Sequence, residues 1–105
     1  MNTTEKSSAL VAGDLKVNPE LLEASWRGVS LGLGRREVRV LARLMRAHGH
    51  PVSVTGLLDE FWREARDPAP ELVFASMSRL RRRLRAVGLA GRLRTIPTVG
   101  YIFRM

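Results

Sequence analysis

The sequence predicts an α+β domain in which a short antiparallel sheet comes first, three helices follow, and a β-hairpin closes the chain. Three observations predict it. Residues 9–33 break into short runs, "ALVA", "DLKVN", "LEASW" and "VSLGL", separated by Gly13-Asp14, Asn18-Pro19 and Arg27-Gly28. Short alternating runs between turn residues read as strands. From Arg35 the apolar spacing becomes three and four residues, which is helical. The final segment, "LRTIPTVGYIFRM", sets β-branched and aromatic residues on both sides of a Pro97–Gly100 turn.

Each element has its own signals. "MNTTEKSS" is polar, so residues 1–9 are expected to be a frayed, flexible segment and residues 10–105 the folded domain. The sheet runs are individually ambiguous, and "PELLEAS" also reads as a helical turn. The first helix spans about 35–48, with Val38, Leu41, Leu44 and Met45 inward and Arg36, Arg39, Arg43 and Arg46 on other faces. Gly34 is its N-cap and Gly49 its stop. The second helix opens at Ser53, a good N-cap, and carries Leu57, Leu58, Phe61 and Trp62 as its apolar stripe. "REARDPAP" follows as a loop, because Pro68 and Pro70 end any helix there. The third helix runs from near Glu71 to about Val87, and Gly88 stops it.

Charge narrows the function. The net charge is +8, and it is not spread evenly. Residues 1–70 hold ten Lys/Arg against nine Asp/Glu, whereas residues 71–105 hold eight arginines against Glu71 alone. So one-sided a field calls for an anionic partner: nucleic acid first, an acidic protein second, a membrane surface third. The absence of cysteine excludes disulfides and thiolate metal sites. No apolar run reaches membrane-spanning length, the start lacks the pattern of a signal peptide, and no membrane partner is expected. No nucleophile motif, Gly-rich phosphate loop or metal-ligand spacing occurs, so neither an enzyme nor a cofactor is expected. His48 and His50 are read as helix-end histidines rather than zinc ligands, and Trp26 and Trp62 as core.

The third helix concentrates the positive charge. "VFASMSRLRRRLRAVG" holds five arginines between Arg79 and Arg85. On a helical wheel Val73, Met77, Leu80 and Leu84 cluster within about 40°. Glu71, Ala75, Ser78, Arg79 and Arg82 fall opposite, and Arg81, Arg83 and Arg85 lie on the flanks. A basic face is usually just a solvated one. Here no acid follows Glu71 to pair with it, and the small Ala75 and Ser78 leave room for a close approach. That profile suits a DNA major groove, with Ser and Arg on base edges and flanking arginines on phosphates. Phe74 stands apart, about 100° from the centre of the apolar face.

Several motifs in order now carry a resemblance. "GRREVRVLARLMRAHGHPVSVTGLLDEFW", "VFASMSRLRRRL" and "RTIPTVGYIF" resemble the winged helix-turn-helix effector domain of the bacterial OmpR/PhoB type. The "PVSVTGLLDEFW" and "SRLRRRL" stretches are also similar to the DNA-binding domain of actinobacterial antibiotic regulators. The likeness covers residues 29–105, and residues 10–28 fit the N-terminal sheet of that fold. It implies a third helix that enters DNA, a wing that reaches the minor groove, dimers on direct repeats, and an RNA polymerase contact through the loop at 63–70. It also implies a preceding receiver domain, for which 105 residues leave no room, so a freestanding regulator is expected. An excised piece of a longer regulator is the alternative organisation. The chain departs from the pattern at Pro97, where an arginine is usual, at Thr98, where glycine is usual, and at Phe74, Ser76 and Ser78 on the third helix.

The resulting expectation is a cytoplasmic, nucleoid-associated regulator that binds specific double-stranded DNA through residues 71–87. Ser76, Ser78, Arg79, Arg81, Arg82, Arg83, Arg94 and Thr95 are its expected contacts. Among these, Ser78, Arg79 and Arg82 are assigned to base edges, and Arg81, Arg83, Arg94 and Thr95 to phosphates. The alternative is a winged helix used for docking on RNA polymerase or another regulator.

Overall fold

A computed structural model describes residues 9–105. The expected frayed segment 1–9 therefore lies, apart from Ala9, outside the described residues. Strands β1 (Leu10–Ala12), β2 (Leu15–Asn18), β3 (Glu23–Trp26) and β4 (Val29–Ser30) form an antiparallel sheet in sequence order. Its registers place Val17 opposite Ala24 and Leu15 opposite Trp26. Alternation then puts Leu15, Val17 and Ala24 on the buried face and Lys16 outside. "PELLEAS" resolves into a turn and β3 rather than a helix. The Asn18 side chain accepts from the Glu20 and Leu21 amides at 3.0 and 3.1 Å and so holds the turn. "VSLGL" pairs only at Val29–Ser30 before the chain bends away.

Three helices form the centre: α1 (Arg35–Arg46), α2 (Val54–Phe61) and α3 (Pro70–Arg85). Helix α1 packs against β2, α2, α3 and the last strand of the chain, Gly100–Phe103, which is why it buries Val38, Val40, Leu41, Ala42, Leu44 and Met45 around most of its circumference. Ser53 caps α2 as expected, accepting from the Gly56 amide at 2.9 Å. The helix ends one residue before Trp62, whose side chain turns into the core. Pro70 does not end a helix; it opens α3. At the first helical position the missing N–H of proline would have had no partner anyway, and its φ suits a helix. The far end closes as expected: Gly88 takes a positive φ, and the Leu89 amide donates to the Leu84 carbonyl at 2.8 Å.

The closing hairpin consists of β6 (Leu93–Ile96) and β7 (Gly100–Phe103), preceded by one 3₁₀ turn at Ala90–Arg92. It gains a third strand that the sequence did not announce. β5 (Val52–Ser53) pairs along β7 in the order β5-β7-β6, with Val52 opposite Tyr101 and Ser53 opposite Gly100. The wing is thereby joined to the start of α2. All four β7 residues are buried. The core gathers Leu15, Val17, Leu41, Leu57, Leu80 and Phe103 from every layer. The α+β winged arrangement is thus the one the sequence predicted. Among the described residues no helix is long and apolar enough to cross a membrane.

Gly100 is the tightest point of this joint. A Cβ added there would collide with the Val52 carbonyl oxygen and carbon. Gly100→Ala is expected to lower stability by at least about 1–3 kcal/mol, the usual range for overpacking. Gly91→Ala, with nothing within 4 Å of the added atom, should change it by less than about 0.5 kcal/mol. Paired thermal or urea melts check the contrast.

Candidate nucleic-acid interface

Helix α3 presents two opposed surfaces. Val73, Met77, Leu80 and Leu84 are fully buried. Glu71, Phe74, Ala75, Ser78, Arg79, Arg82, Arg83 and Arg85 are exposed on the remaining arc. Glu71, Ala75, Ser78 and Arg82 lie along the middle of that arc at helical spacing. The flanks are organised by specific contacts with the rest of the fold.

On one flank the partner is α1. Glu37, in its first turn, is 7% exposed, and Ser76 is 0% exposed. Ser76 Oγ donates to Glu37 Oε2 at 2.6 Å, and Arg79 Nη2 donates to the same oxygen at 3.3 Å. The other carboxylate oxygen lies over Gly34, where a Cβ would come within 2.7 Å of it. A carboxylate in the first turn is also favoured by the helix dipole. Ser76 must therefore be corrected: its side chain faces the core and is occupied there, so it does not belong to the exposed surface. Arg79 is exposed but is drawn to the flank by Glu37. One turn on, Arg83 extends beside Gly32, whose added Cβ would lie 3.6 Å from the Arg83 Nη1 atom. Arg79, Arg82 and Arg83 thus line one shallow basic recess with residues 32–34.

On the other flank the partner is the wing. Arg81, half-buried, donates from Nη2 to Thr95 Oγ1 at 3.2 Å and to the Leu93 carbonyl at 3.4 Å. Burial pushes the phenol of neighbouring Tyr101 up, and the Arg81 charge partly offsets this. The bond to Arg81 puts Thr95 on the helix-facing side of β6. Successive strand residues point to opposite faces, so Arg94 points to the far side, away from α3. The structure therefore does not bring Arg94 and Thr95 together. Arg92 donates to the Met105 carbonyl at 2.7 Å and ties down the chain end. At the tip, Thr98 holds a φ of 62° and hydrogen-bonds the Pro97 carbonyl at 2.6 Å.

The charge on this surface is largely uncompensated. Among the described residues, the ion pairs are Arg27–Asp14, Arg43–Glu60 and Arg79–Glu37. Arg82, Arg83, Arg85 and Arg94 have no acidic partner within that set. No group of three potential metal-ligating side chains occurs among the described residues, and His50 contacts only the Ala47 carbonyl through Nδ1, at 2.9 Å. Elsewhere, an open groove of about 690 Å³ runs between α1 and the loop after α2, and Arg36 stacks on Trp62 at 4.9 Å along it.

A winged helix with this arrangement of α3 and hairpin also matches known proteins. The family described as "Transcriptional regulatory protein, C terminal" matches residues 28–103. The chain belongs to this family, the OmpR/PhoB-type effector domains. It is 34% identical over 87 residues to the transcriptional regulatory protein CutR of Streptomyces coelicolor, covering 83% of this chain and 39% of CutR. It is 29% identical over 101 residues to the transcriptional regulatory protein YvcP of Bacillus subtilis, covering 96% of this chain and 43% of YvcP. The chain thus spans less than half the length of these relatives. The DNA-binding domain of CpxR from E. coli superposes with a TM-score of 0.79 at 28% identity, covering 91% of this chain and 95% of that domain.

The pairing of Glu37 with Ser76 is a feature of this effector domain that the sequence concealed. Nothing local marks a glutamate as the partner of a serine 39 residues away. Ser76→Ala is expected to destabilise the domain by about 1.5–3 kcal/mol, the range for a hydrogen bond to a charged group. Ser78→Ala, on the exposed arc, should change stability by less than about 0.5 kcal/mol. Urea denaturation of the two variants checks the assignment of one serine to the core and the other to the surface.

Proposed function

We propose that this chain is the sequence-specific, double-stranded DNA-binding module of a transcription regulator, with α3 in the major groove. The observation that carries the reading is the exposed arc of α3, small at Ala75 and Ser78 and basic at Arg82, on a helix whose opposite side is locked into the core. Ser78 and Arg82, at the middle of the arc, face the base edges. Arg79 and Arg83, held to the α1 flank, meet phosphates of one strand. Arg81 and Thr95, bonded to each other, meet the strand between helix and wing. Arg94 belongs to a peripheral phosphate contact from the far side of the hairpin. The DNA-binding domain of CpxR supports the assignment, because its fold is shared over most of both chains. The reading places the protein on the nucleoid in the cytoplasm.

Two further contacts belong to the proposal. One is with RNA polymerase through the loop at 63–70, where Arg63, Glu64, Arg66 and Asp67 are exposed. The other is pairing of two copies on adjacent half-sites, which the stoichiometry of the bound complex reports.

Selection of bound duplexes from a random pool tests the central reading: a defined motif is expected. A folded domain that enriches no sequence would instead indicate a protein-docking module. On the selected site, affinity should fall steeply with salt, with a log–log slope of about −0.9 per phosphate neutralised. Arg82→Ala should cost about 1–3 kcal/mol and relax preference at one base pair. Arg83→Ala should weaken all sequences alike and reduce the salt slope by about 1. Uniform losses in both variants would refute this division of the helix.

A further inference from the structure

Phe74 has no role in the core or in any contact described above. It is 47% exposed, on a helix surface otherwise made of Glu71, Ala75, Ser78 and arginines. It stands one turn before Ser78 and on the same side of α3 as Arg81, which bonds to the wing. Its ring lines an open groove of about 510 Å³ between the start of α3, the start of α2 and the hairpin. Val54, Pro70, Ile96 and Val99 supply the apolar part of that groove, five hydroxyl-bearing residues line the rest, and no charged side chain lines it. An apolar, uncharged notch is thus set beside the most basic surface of the molecule.

We infer that Phe74, with the small Ala75 beside it, reads the 5-methyl group of a thymine. The inference rests on the DNA reading of α3 given above. The recognition pattern on the major-groove edge consists of hydrogen-bond donors and acceptors together with the thymine methyl, the one apolar group that projects from it. A phenyl ring offers neither donor nor acceptor, and against cytosine or a purine edge it would leave polar atoms desolvated. Against a methyl it removes apolar surface from both partners. Ala75 leaves the backbone low enough for the base edge to approach. The surrounding arginines favour a polyanion, so an apolar protein partner covering Phe74 would have to bury their charge as well.

Replacing each thymine of a selected duplex singly by deoxyuridine tests the inference. The exchange removes the methyl and leaves both hydrogen-bonding edges unchanged. At one or two positions wild-type Kd should rise about three- to tenfold, as expected for losing one buried methyl against a ring. Phe74→Ala should bind the thymine duplex more weakly by a similar factor and be indifferent to deoxyuridine there. Phe74→Leu, which keeps an apolar contact, should retain the sensitivity. Insensitivity of the wild type at every thymine, or a selected site without thymine, overturns the inference and assigns Phe74 to a protein contact, while the DNA reading stands. Unchanged deoxyuridine sensitivity in Phe74→Ala overturns it equally. Failure to select any site overturns both.

Discussion

Everything on the basic surface depends on the burial of Val73, Met77, Leu80 and Leu84 beneath it. Each of these side chains contributes about 1.5–3 kcal/mol when withdrawn from water, and together they fix the rotation of α3 about its own axis. A rotation of one residue, 100°, would carry Arg79 and Arg83, or in the other direction Arg81 and Arg85, into the core. The same helix therefore serves as the central beam of the fold and as its exposed face. A core helix can carry five arginines because the core sets the angle at which their charge is presented.

Specific polar contacts then refine that presentation. Glu37 holds Ser76 and Arg79 from one side, and Thr95 accepts from Arg81 on the other. The helix is thus joined to α1 and to the wing by side chains that do not interrupt its outer face. Between the two joints the cations are left without acidic neighbours, and their mutual repulsion is a standing cost in the free protein. Phosphates relieve it. A surface built this way gains affinity from the side chains that meet phosphates and selectivity from those that meet base edges.

Much of this was legible in the sequence. The apolar spacing of α1 and α3, the Ser53 cap and the Gly88 stop are local signals, and they gave the helices with ends a few residues too long at Arg46 and Arg85. In the sequence Pro70, close after Pro68, reads as a terminator; only the cap geometry distinguishes a stop from a first helical position. β5 was invisible because two residues carry no periodicity, and its existence depends on β7 about fifty positions later. Ser76 reads as a surface serine beside Ser78, although on a helical wheel it lies about 60° from Val73; its partner lies on another helix.

The proposed DNA contact lies on the outer arc of α3 and the adjoining wing. Mapping amide chemical-shift changes on titration with a short duplex locates the contact directly. The account predicts changes at Glu71, Phe74, Ala75, Ser78 and Arg82 and along the β6–β7 hairpin, with little change in the sheet formed by β1 to β4. Changes confined to Arg36, Arg39 and the loop after α2, with the α3 arc unaffected, would contradict it.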